Sequence, residues 1–169
     1  MNLPENRTLD LLINEIHVLG GLAVVAHPSR NNHFIPKKIL YEIDGMEIWN
    51  AVYDSRYLPD PKAISLYNDI RILNSDIVAI GGLDLHDGTG FRDLRISVSD
   101  RYYNQSELID LIKKGCFENR GRYVNVPSMP NTGFVKSAVL RMGRGLLTIA
   151  DKVRLGLNPL RNKFHMKML

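Results

Sequence analysis

Asp84 and His86 stand two residues apart where the apolar run "IVAIGG" ends, and His27 directly follows a second such run, "LAVVA". Imidazole and carboxylate together ligate Zn²⁺, Mn²⁺ or Fe²⁺. On extended chain, positions i and i+2 face one side. Asp84 and His86 are therefore expected to converge, with Leu83 and Leu85 turned into a helical layer. Taken alone, the D-x-H spacing also fits a polar turn with a capping aspartate. The single cysteine, Cys116, excludes an intrachain disulfide and a multi-cysteine zinc site, so any metal falls to His, Asp and Glu.

The elements that must position these groups follow from periodicity. Residues 6–19 put Leu9, Leu12, Ile13, Ile16 and Leu19 on one helical stripe, closed by Gly20-Gly21. "LAVVA", 22–26, reads as a strand buried on both faces, which suits a parallel sheet. A loop holding Arg30 and His33 follows, and Pro36 opens a helix over 37–43. "DGMEIWNA" is a strand carrying Glu47 and Trp49. Residues 60–75 form a helix with Pro61 in its first turn, and "DIVAIGG" is a further buried strand. "LRISVS" is a possible strand, 106–115 a helix stopped by Gly115, and "RYVNV" a last strand. This alternation predicts an α/β fold with parallel strands and right-handed crossovers. His27, Asp84 and His86 then share the rim formed by C-terminal strand ends, where such folds place their sites.

Length and charge bound the remaining possibilities. A chain of 169 residues suffices for one well-cored domain. No apolar run reaches the roughly 20 residues of a membrane span, no signal peptide is evident, and the lone cysteine suits a cytoplasmic protein. Residues 134–169 hold eight Lys or Arg and one acid, a charge of +7. The total is +4, so the first 133 residues carry −3. The expected division is an α/β domain over 1–133 and a basic helical extension over 134–169. That extension is either a solvated or docked helical face or a contact for nucleic acid or a membrane surface.

"GGLAVVAHP", then "DGMEIWN", then "GGLDLHD", in this order, resemble the PHP family (polymerase and histidinol phosphatase). "ELIDLIKKGCFENRGRY" is similar to the helix-Gly-strand segment after that family's last metal motif, and the resemblance spans roughly residues 9–126. It implies a partial (βα)7-type PHP barrel, a divalent metal cluster and hydrolysis of phosphate esters. By motif, His27, Asp84 and His86 are metal ligands and Glu47 is an acidic rim residue with a catalytic role. Arg30 and His33 are candidate contacts for a phosphorylated small molecule or nucleotide. The family's opening H-x-H motif is missing, which suggests the C-terminal part of an enzyme. The alternative is a non-catalytic module whose barrel a homo-oligomer mate or partner chain completes.

Overall fold

The computed structural model describes residues 8–55, 57–86, 94–99, 103–130, 139–140, 142–147 and 149. The chain divides into two compact units, Met1–Thr132 and Gly133–Leu169.

The first unit opens with helix α1, Leu9–Val18, which buries Ile13. Its end is a Schellman turn: Gly20, at φ 75°, and Gly21 donate to the carbonyls of His17 and Ile16. Strand β1, Val24–Val25, pairs in parallel with β2, Gly45–Asn50, and β2 with β3, Val78–Gly82. Helix α2, Pro61–Leu73, connects β2 to β3. Pro61 starts it and Asp60 caps it by accepting the Lys62 N–H. Met46, Ile48, Trp49, Ala63, Ile64, Tyr67, Ile77, Val78 and Ala79 are buried and form the core around this sheet. The fold is thus mixed α/β around a three-stranded parallel sheet, with no closed barrel among the described residues.

Three expectations need correction. "LAVVA" is not buried on both faces. β1 lies at the edge of the sheet and Val24 is exposed, because it has a sheet neighbour on one side only. Residues 37–43 make only a 3₁₀ turn, Lys37–Ile39, that buries Ile39. So short a segment cannot offset the cost of nucleating an α-helix.

The third correction concerns strand direction. β4, Arg95–Ser97, β5, Glu118–Arg120, and β6, Asn125–Pro127, form a second sheet that is antiparallel. Only residues 121–124 join β5 to β6, and a parallel crossover needs a dozen residues or more. Helix α3, Gln105–Lys113, precedes this hairpin. It starts in a capping box between Asn104 and Glu107 and ends in a Schellman turn at Gly115. Cys116 is exposed.

The second sheet closes the outer edge of β3 with a side chain. Asn119 is fully buried; its Oδ1 accepts the Gly81 N–H at 2.7 Å and its Nδ2 donates to the Ala79 carbonyl at 2.9 Å. One amide thus replaces a missing strand and covers an edge that would otherwise invite pairing. The opposite edge, at β1, has no further strand among the described residues. No helix among them is long and apolar enough to cross a membrane.

Candidate functional site

The C-terminal ends of β1, β2 and β3 carry the expected residues onto one rim. Glu47 is the pivot. The register of β2 against β3 slips between Glu47 and Trp49, leaving Ile48 as an extra residue. Such a bulge re-aims the side chains beside it. Glu47 Oε2 accepts the backbone N–H of His27 at 2.6 Å and the Asn50 side-chain amide at 3.1 Å. Its other oxygen occupies the space beside Gly82, where any Cβ would overlap it. Glu47 therefore links all three parallel strands, and Gly82 is required for its approach.

His27, two residues past the end of β1, has strained backbone, with φ 29° and ψ 62°. Its ring meets Tyr53 edge-on at 5.2 Å, and the Arg30 guanidinium lies 4.5 Å above the same Tyr53 ring. Arg30 thus reaches the rim as a cation held by a cation–π contact. Asn50 shapes this corner. Fully buried, it accepts the N–H groups of Val52 and Tyr53 through Oδ1 at 2.9 Å each. His33 is placed differently: its Nε2 lies 2.6 Å from Oδ2 of Asp60, the cap of α2. That contact ties the loop after β1 to α2.

Asp84 and His86 do come together, but not by the expected geometry. β3 stops at Gly82, and Asp84 adopts left-handed backbone at φ 51°. That conformation ends the alternation of extended chain, so Leu85 is exposed rather than packed in a helical layer. A turn instead brings His86 Nε2 to 3.1 Å from Asp84 Oδ1. The His86 side chain is 84% exposed and that of Asp84 only 14%. Asp84 Oδ2 is buried without a hydrogen-bond partner. Ser29 Oγ, in the 3₁₀ turn after His27, is likewise buried and unpartnered.

Among the described residues, the positive-φ non-glycine positions are His27, Asn32, His33 and Asp84, all in loops that follow β1 and β3. Such backbone costs of the order of 1–3 kcal/mol per residue and concentrates at functional sites. An orphaned carboxylate oxygen beside an imidazole has the donor chemistry of a divalent-cation site. The donor number falls short, since no group of three or more His, Cys, Asp or Glu able to hold a metal occurs among the described residues.

Asn50, Tyr53 and Ser29 complete the rim beyond the expected set. Asn50 was foreshadowed by the "EIWN" motif. Tyr53 and Ser29 carry no sequence signal, because only the fold of their loops brings them to the rim. Set against protein-family models, curated proteins and solved structures, the chain matches none.

Proposed function

We propose that this chain carries part of a PHP-type, metal-dependent phosphoesterase site acting on a phosphorylated small molecule or nucleotide. The observation that carries the reading is Asp84 Oδ2, a buried carboxylate oxygen with no partner, next to the exposed imidazole of His86. A buried carboxylate oxygen left without a partner is costly, and a cation is a partner that removes the cost. Asp84 and His86 are the donors of this corner and His27 the donor from β1. Further ligands come from outside the described residues or from another chain.

When bound, the divalent ion supplies Lewis-acid stabilisation of phosphoryl charge. Glu47 acts as a positioning residue, since its carboxylate fixes the backbone of His27 and the Asn50 amide. Arg30 offers the rim a cation for phosphoryl oxygens. His33 stabilises the loop that presents Arg30, through Asp60.

Titration of the full chain with Mn²⁺ or Zn²⁺ by calorimetry tests the reading, alongside hydrolysis of a generic phosphomonoester. Stoichiometric binding is expected, weakened about tenfold or more by Asp84→Asn and by His86→Ala. Absence of binding, or equal binding by both variants, overturns it.

A second reading has its own observation. The edge at β1, which no strand among the described residues pairs, is where a longer sheet would continue, and a partner strand there would make a completed, non-catalytic module. Sedimentation separates the two: a stable monomer that binds metal excludes the completed module.

A further inference from the structure

The second unit holds a feature unrelated to the rim. Its residues 139–140, 142–147 and 149 are helical. Val139, Met142, Leu146 and Ile149 are 63%, 71%, 67% and 61% exposed. At 100° per residue these four fall within an arc of about 80°, so they form one continuous apolar stripe facing solvent. Leu140 and Leu147 lie across the helix and are half-buried, so they leave the stripe uncovered.

The charge pattern selects an occupant. On the same helix Arg144 falls on the half opposite the stripe, and Lys136, Arg141, Lys152 and Arg154 stand near it in the sequence. The segment 134–169 carries +7. A helix with an apolar face and basic flanks lies in the plane of an anionic membrane surface, its apolar side chains sunk among acyl chains and its cations at the headgroups.

Two other occupants fit less well. Nucleic acid would engage the cations but leave Met142, Leu146 and Ile149 without a role. A second copy would bring together two segments of like charge. Residues 143 and 145, where paired helices place complementary charges, are glycines.

We infer that residues 139–149 form an anionic-lipid-binding surface helix, its apolar stripe Val139, Met142, Leu146 and Ile149 entering the bilayer interface.

Flotation of the full chain with phosphatidylcholine vesicles containing about 30% phosphatidylserine tests this. Binding is expected to these vesicles and to be at least about tenfold weaker to phosphatidylcholine alone. Met142→Gln with Leu146→Gln removes apolar area without changing charge and is expected to weaken binding about tenfold or more. Lys152→Gln with Arg154→Gln is expected to weaken it about thirtyfold, from roughly fivefold per cation. These substitutions leave the rim untouched, so metal titration of the same variants reports the fold and the metal site separately.

No binding to the anionic vesicles overturns the inference. So does binding that survives Met142→Gln with Leu146→Gln, which would reveal a polybasic contact alone. Salt-sensitive binding of single- or double-stranded oligonucleotides without vesicle binding would assign the segment to nucleic acid. Concentration-dependent dimerisation abolished by the same pair would assign the stripe to a second copy.

Discussion

The two ends of the parallel sheet hold similar residues in opposite conditions. At the N-terminal end, α1, the starts of β2 and β3 and the end of α3 border an open groove of about 1130 Å³ that includes His17, Asp44, Asn74 and Lys113. Three of its polar side chains have defined partners. Asp44 Oδ2 accepts the Ala23 N–H at 2.7 Å and lies 2.8 Å from His17 Nε2. Asn74 donates to the carbonyls of Leu40 and Ile43 at 3.1 and 2.9 Å. Its helix ends turn on Gly20 and Gly115, the residue type suited to positive φ.

At the C-terminal end the chemistry is less settled. Histidine and aspartate take the left-handed conformations there, and Asp84 Oδ2 and Ser29 Oγ are buried without partners. Unmatched polar groups and strained backbone, rather than volume, mark the end with functional potential.

Substitutions at the two ends should therefore differ in sign as well as size. Gly82→Ala should have the largest effect, about 3 kcal/mol lost in urea unfolding. Its methyl displaces Glu47 from hydrogen bonds to His27 and Asn50, each bond to a charged acceptor being worth about 1.5–3 kcal/mol. A loss below about 1 kcal/mol would mean that Glu47 does not hold the rim together.

Asp44→Ala, at the matched end, should destabilise by about 2 kcal/mol by stranding the Ala23 N–H and the His17 ring. Asp84→Gly, at the unmatched end, should instead stabilise by about 1 kcal/mol while removing the proposed metal corner. It relieves both the orphaned oxygen and the left-handed backbone. Destabilisation by Asp84→Gly would erase the contrast between the ends.

The smallest effect concerns Tyr67, whose phenol is held above its ordinary value of 10.0 because burial disfavours the phenolate. It donates to the Ile77 carbonyl at 3.0 Å at the base of β3. A folded pKa above the unfolded one gives stability that is intact below pH 10 and lost as the pH rises through the folded value. Alkaline unfolding should begin above pH 10, and Tyr67→Phe should remove that alkaline loss.

Much of the local structure was legible in residue order. Gly20-Gly21 and Gly115 end helices, Pro61 starts one, and the runs "GMEIWN" and "VAIGG" are strands, as their apolar content required. The meeting of Asp84 with His86 was also foreseen, though by extended geometry that the left-handed Asp84 replaces. The less legible parts depend on partners distant in sequence. Nothing in "FENRG" says that Asn119 will close the edge of β3 thirty-eight and forty residues away, or that Gly121 will lie against the Trp49 ring.

By itself the sequence determined which segments are apolar enough to be core, where helices stop, and that the imidazoles and carboxylates cluster after strands. These are properties of short stretches, set by side-chain pattern and by the φ values that Gly and Pro allow. Only the tertiary structure decided the direction of the last three strands, the bulge that turns Glu47 to His27, and which carboxylate oxygen is left without a partner. Those depend on loop length, register and burial together, because a hydrogen bond is satisfied or stranded only once the whole chain has packed around it.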